Sequence, residues 1–263
     1  MTLTRERTNV FVDRRRRADE LVKAYPYAAE PLRLYRALLD PQEAVFDNAR
    51  EVRPAAGDLV AYVVSSSLPQ IMGAVMTAGT ELLRETVLLR FHDGDLEAMI
   101  RAWLAGESEG EADAFLARSA TAPVLEALPE VAATLKQGDD DRRCPVCGGL
   151  PQVSVFTDSG DPLVTGVRQL VCARCAAEWP FPRLVCVSCR AAGGAQQPIL
   201  ADEARLPHIR LDACDVCRAY IATVDIRRDP RAVPLVDEIV ALPLDMIAAD
   251  RGYRKISRNV MGF

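Results

Sequence analysis

The sequence has no cysteine before residue 144 and none after residue 217. No uninterrupted run of about 18 apolar residues occurs, so no membrane span is expected. The first 20 residues are crowded with Arg, Asp and Glu and lack an apolar core, so no secretory signal is expected. The Arg14–Arg17 run is followed by Ala18-Asp19-Glu20, the start of a helix, and reads as a solvated helix end. Basic excess is also missing: the net charge is −5 with both signs interspersed, which speaks against a nucleic-acid binder. No nucleophile–base pair, phosphate-binding glycine loop or paired-carboxylate motif stands out. The chain is therefore not read as an enzyme, and no catalytic residue is assigned.

What is present divides the chain. About half of its 263 residues are apolar, enough for one large or two modest domains. Residues 1–138 carry helical patterns. Leu21, Tyr25, Leu32, Tyr35 and Leu38 recur through Ala18–Leu39, with Pro31 as an interruption. Ile71–Phe91 is apolar nearly all round, as in a buried helix. Met99, Ile100 and Trp103 mark a further helix that Gly106 ends. Val124–Leu135 is a last one, split or kinked by Pro129. Five or six helices are expected in this bundle. Gly138 and Asp139–Asp141 form a candidate linker. Beyond it come short β-rich stretches, at 152–156, 167–171, 184–185 and 220–226. A helical pattern returns after Pro230 through Val236, Ile239, Val240 and Ile247. The expected fold class is α+β: an N-terminal helical bundle (1–138), two tandem rubredoxin-like or zinc-ribbon-like four-cysteine modules (142–182 and 183–228), and a C-terminal helical segment with its tail (229–263).

All eight cysteines are paired as Cys-x-x-Cys: Cys144/Cys147, Cys172/Cys175, Cys186/Cys189 and Cys214/Cys217. The first four positions recur 42 residues later, so the region is an internal duplication. With no export signal, a cytoplasmic location is expected, where thiols stay reduced and disulfides are rare. Two thiolates three residues apart take two corners of a tetrahedron, and a second knuckle returned by a hairpin takes the other two. Cys144, Cys147, Cys172 and Cys175 are expected at one site. Cys186, Cys189, Cys214 and Cys217 are expected at the other. An interleaved arrangement, with the first and third knuckles sharing one ion, closes longer loops and is less favourable. Gly148 suits the left-handed turn after a knuckle; Ala176, Arg190 and Arg218 must accept strain or use another turn. Four thiolates suit zinc or a single iron. A closed shell leaves no position for a substrate. His208, six residues before Cys214, is read as a structural or surface histidine, as is His92. Trp179, Phe181 and Tyr220 are read as hairpin core.

The runs Cys-Pro-Val-Cys-Gly-Gly-Leu-Pro (144–151), Val-Arg-Gln-Leu-Val-Cys-Ala-Arg-Cys-Ala-Ala-Glu-Trp (167–179), Arg-Leu-Val-Cys-Val-Ser-Cys (183–189) and Cys-Asp-Val-Cys-Arg-Ala-Tyr-Ile (214–221) together resemble the formate dehydrogenase accessory protein FdhE family. Gly252-Tyr253-Arg254-Lys255 and Asn259 are similar to that family's ending. The resemblance covers residues 144–263; the N-terminal half agrees by helical character only. It implies a cytoplasmic, non-catalytic assembly factor that contacts the catalytic subunit of respiratory formate dehydrogenase. It also implies two mononuclear rubredoxin-like metal ions, with iron ahead of zinc. Neither nucleic acid nor stable membrane insertion is expected, and self-association is left open. The other reading of the same residues is a rubredoxin-like electron-transfer or redox-sensing protein.

Overall fold

The computed structural model describes residues 10–108, 110–158 and 166–263. The first nine residues of the charged N-terminal stretch lie outside them. The chain divides into two compact units, Met1–Val124 and Leu125–Phe263.

The first unit is helical. Helix α1 spans Val10–Ala24 and α2 spans Ala29–Val52. The break between them comes at Tyr25-Pro26, where Pro26 opens a short 3-10 turn. Pro31 does not interrupt the pattern as expected. It falls in the first turn of α2, where an amide has no intrahelical partner to lose. Phe11, Leu21, Leu32, Leu38 and Leu39 are fully buried, and each contributes about 1.5–3 kcal/mol on burial. The Phe11 and Phe46 rings meet edge to face at 5.5 Å.

The arginine run is not a solvated helix end. Across the described span of α1, Val10–Ala24, the run sits inside the helix. The three-residue spacing then puts Arg14 and Arg17 on the same face as Phe11, Ala18 and Leu21, all buried. Arg17 Nη1 lies 3.1 Å from the Glu20 carboxylate, and the Arg14 guanidinium stands 5.3 Å from the Phe11 ring centroid.

Helix α3 (Leu59–Tyr62), a π-turn (Val63–Ser67) and α4 (Leu68–Ala78) run on continuously. The stretch Ala56–Ala78 is long and apolar enough to cross a membrane by length and composition, with mean hydropathy 1.5, which a search for unbroken apolar runs misses. Leu59, Val63, Leu68, Ile71 and Val75 on it are buried within the helical unit. The expected single buried helix over Ile71–Phe91 is instead two. Gly79 ends α4, and Thr80 caps α5 (Glu81–Asp93) by accepting from the Leu83 amide at 3.3 Å. Helix α5 buries only Val87 fully and leaves Leu82 and Leu89 exposed. Helix α6 (Leu96–Ala105) starts on an Asp95 cap and stops at Gly106. Helix α7 (Glu111–Ala127) crosses the boundary between the units, and α8 (Pro129–Ala133) follows at the expected proline break.

The second unit is built on one sheet. Its strands are β1 (Pro151–Thr157), β2 (Val167–Cys172), β3 (Glu178–Pro180), β4 (Ile199–Ala201), β5 (Ile209–Ala213), β6 (Ala219–Asp225) and β7 (Arg254–Lys255). The order is β3-β2-β1-β6-β5-β4, with β7 beside the start of β6. The β2–β3 pairing recurs 42 residues on: Leu170↔Trp179 becomes Asp212↔Ile221, and Val171↔Glu178 becomes Ala213↔Tyr220. The duplicated halves are not beads on a string. Strands β1 and β6 pair in parallel, Val153↔Ala222 through Phe156↔Asp225, and fuse both halves into one sheet. Both strands are buried on both faces, as central strands are. The expected strand at Leu184–Val185 is only an isolated bridge, Val185↔Ala192. Helices α9 (Pro234–Asp237) and α10 (Leu242–Asp250) pack on the sheet, with Val236, Ile239, Val240 and Leu244 buried.

Candidate metal centres

The four Cys-x-x-Cys segments adopt one turn. In each, the amide of the first cysteine donates to the carbonyl five residues on: Cys144 to Gly149 (2.9 Å), Cys172 to Ala177 (2.9 Å), Cys186 to Ala191 (2.8 Å) and Cys214 to Ala219 (2.9 Å). The residue after the second cysteine is left-handed in all four, with φ of 70° at Gly148, 54° at Ala176, 66° at Arg190 and 58° at Arg218. The three non-glycine residues therefore carry strain of about 1–2 kcal/mol each. Two of them are anchored. Arg190 pairs with Asp141 at 2.9 Å and lies over the Phe181 ring. Arg218 pairs with Asp215 at 2.9 Å and lies 3.9 Å from the Tyr253 ring centroid.

These turns gather the sulfurs into two separate clusters. Cys144, Cys147, Cys172 and Cys175 form one, and Cys186, Cys189, Cys214 and Cys217 the other; in each, all four Sγ atoms lie within 4.8 Å of one another. Close approaches are 3.7 Å for Cys144–Cys175, 3.4 Å for Cys147–Cys172, and 3.7 Å for both Cys186–Cys217 and Cys189–Cys214. All eight cysteines are free of disulfides. A tetrahedral ion with metal–sulfur bonds of about 2.3 Å places its sulfurs roughly 3.8 Å apart, so both clusters fit one.

Electrostatics point the same way. A hydrogen bond from Cys147, with others from Cys172 and Cys175, holds the Cys144 thiol well below its ordinary range. Hydrogen bonding to Cys144 pushes Cys172 and Cys175 well above theirs. In the second cluster burial lifts Cys186 to about 12 and also raises Cys189. Four sulfurs this close cannot all ionise alone. A divalent ion resolves the conflict by taking all four as thiolates.

The surroundings place the other residues named from sequence. Trp179, Phe181 and Tyr220 are buried, and Trp179 Nε1 donates to the Asp141 carbonyl at 3.3 Å. His208 belongs to neither cluster; its Nε2 is 2.8 Å from the Asp237 carboxylate, both buried. Two buried polar groups have no counterpart in the sequence reading. Arg168 reaches Ser154 Oγ at 2.8 Å and the Val185 carbonyl at 3.1 Å, binding β2 to the third knuckle. Lys255, Glu238 and Asp245 form an ion cluster out of solvent. Neither is marked in the sequence: Lys255 follows Arg254 and Glu238 follows Asp237, as ordinary surface charges do.

Comparison with known proteins agrees with this architecture. The family profile "FdhE, central domain" matches residues 143–183, and "FdhE, C-terminal domain" matches 184–261. Each matched segment holds one of the two cysteine clusters. An FdhE homolog from Aquifex aeolicus is 28% identical over 197 residues, covering 73% of this chain and 68% of that one. One from Stutzerimonas stutzeri is 26% identical over 285 residues, covering 96% and 89%. The FdhE protein of Escherichia coli is 32% identical over 127 residues, 48% of this chain and 40% of that one. Among solved structures, the crystal structure of the FdhE protein from Pseudomonas aeruginosa has the same fold, with a TM-score of 0.74 at 21% identity, covering 96% of this chain and 95% of that one.

Proposed function

Because the chain belongs to the FdhE family, we propose that it is a maturation factor for respiratory formate dehydrogenase. In this reading it acts in the cytoplasm, binds the dehydrogenase catalytic subunit, and carries two mononuclear metal ions, iron in preference to zinc. Residues 1–138 act as a helical domain, 142–182 and 183–228 as the metal modules, and 229–263 as the segment that closes the sheet. The eight cysteines are the ligands. It is not an enzyme, does not bind nucleic acid and does not insert stably into membranes.

The observation that supports this most is the closure of both clusters. Each offers four sulfurs at tetrahedral spacing, enough to complete the shell of zinc or iron with protein ligands alone. Such an ion chiefly supplies structural cross-linking, and for iron a one-electron change as well. What the chain itself does is hold the sulfurs and present surfaces. Affinity purification of this protein from anaerobic cells making formate dehydrogenase should retain the catalytic subunit. Recovery of no dehydrogenase subunit would refute the assignment.

A second reading, electron transfer or redox sensing, has one observation in its favour: Cys189 and Cys217 are partly exposed. Reversible bleaching of a thiolate-to-iron absorption band at a physiological potential would support it. A colourless, zinc-loaded protein purified anaerobically from its own host would rule it out.

A further inference from the structure

We propose that the two four-cysteine centres are unequal: the first is an inert structural site, and the second is labile, open to chelators and thiol reagents along the Cys189–Cys217 edge. This inference rests on the reading of both clusters as metal sites.

Three independent observations support it. The first is burial. All four cysteines of the first cluster are buried, whereas Cys189 and Cys217 of the second are partly exposed, one on each of its two knuckles. A reagent can therefore reach one ligand from either side of the ion.

The second is the packing over the sulfurs. Gly149 lies so close to the first cluster that a Cβ there would meet Cys172 Sγ at 2.9 Å and the Arg174 side chain at 3.1 Å. Backbone and an arginine stem thus close over that sulfur. The residue 42 positions later is Ala191, which carries the Cβ this closure excludes. The duplication has kept the ligands and not the lid.

The third is how firmly each knuckle is held. The first knuckle runs into β1, a seven-residue strand at the centre of the sheet, hydrogen-bonded on both sides. The third knuckle, which carries Cys189, runs into one isolated bridge, a 3-10 turn at Gly194–Gln196 and the three-residue edge strand β4. Its flanking Leu184 is exposed, as is Val216 on the fourth knuckle. Local opening takes less free energy where fewer strand bonds must break. The labile site therefore opens at its third knuckle, where Gln197 Nε2 donates to the Leu184 and Ala191 carbonyls and clasps the turn beside Arg168 on the Val185 carbonyl and Arg142 on the Ser188 carbonyl.

The test uses full-length protein loaded with two equivalents of zinc and challenged with excess EDTA. Two-phase release is expected, one equivalent leaving on the order of ten-fold faster than the other. Cys189→Ser should abolish the fast equivalent and leave the slow one intact. Gln197→Ala, which keeps every ligand, should speed the fast phase alone. On the loaded wild-type protein, brief iodoacetamide treatment followed by peptide mass spectrometry should modify Cys189 and Cys217 before any cysteine of the first cluster. A single release rate, or modification beginning at Cys144 or Cys172, would overturn the inequality while leaving the metal reading intact. Fewer than two equivalents bound at the outset would overturn the metal reading, and this inference with it.

Discussion

Lys255 Nζ lies 2.7 Å from the Glu238 carboxylate and 3.3 Å from that of Asp245, with all three side chains almost wholly out of solvent. The three come from β7, from the 3-10 turn Glu238–Ala241 and from α10. Gln152 of β1 completes the group by donating to Glu238 at 2.5 Å. Burial pushes both carboxyl groups up, and the pair of them outweighs burial to raise Lys255. The C-terminal segment is thus held to the sheet by charge as well as by its apolar face.

Lys255→Met should destabilise the second unit by about 3–5 kcal/mol, because it strands two buried carboxylates without their ammonium. The triple change Lys255→Met, Glu238→Gln, Asp245→Asn should recover part of the loss. Urea unfolding followed by circular dichroism measures both. A loss below about 1 kcal/mol for the single variant would contradict the geometry.

Alkaline pH should weaken the same region. Burial beside Asp245 keeps the Tyr220 hydroxyl protonated far above its ordinary value of 10.0. Lys255 holds its proton above its ordinary 10.5. Both groups keep protons longer folded than unfolded. The stability they supply is whole below about pH 10 and is lost as pH rises through the folded values. Urea midpoints between about pH 8 and about pH 11 should fall, and Tyr220→Phe should flatten that fall.

The left-handed residue at the second knuckle offers a gain. Ala176 adopts φ 54° without the side-chain anchors that hold Arg190 and Arg218. Ala176→Gly should stabilise the metal-loaded protein by about 1 kcal/mol, and Gly148→Ala should cost a similar amount. Thermal unfolding of the two variants in opposite directions is the check; shifts of the same sign would refute the argument.

Ligand removal should be local. Cys144→Ser and Cys186→Ser should each lose one of two bound ions and loosen the surrounding hairpins, since knuckle modules have little core of their own. The helical unit has its own apolar core and should keep its helicity. Elemental analysis with circular dichroism and limited proteolysis measures all three; unchanged metal content would refute the ligand assignment.

The duplicated cysteines were legible from the sequence because their spacing is local arithmetic, and so was the break at Pro129. Two features were not legible, for a common reason. The parallel contact of β1 with β6 joins Val153 to Ala222, and no local pattern specifies which of two apolar strands will meet. Both were legible only as short β-rich stretches, at 152–156 and 220–226, and the structure alone shows them buried on both faces. Lys255 looked like an ordinary charged residue until Glu238 and Asp245 were brought to it by the turn of the chain. Helix α5 misled in the other direction. Its leucines at 82, 88 and 89 suggest an all-round buried helix, yet they are left facing outward.

The parallel β1–β6 contact has a consequence for dissection of the molecule. Each inner strand hides the other's unpaired amides and carbonyls, so neither half has a finished border of its own. A fragment cut between residues 183 and 184 would bare a long apolar strand on each piece, prone to self-association through that raw margin. The duplicated chain supplies that pairing from within itself, each half closing the other's margin.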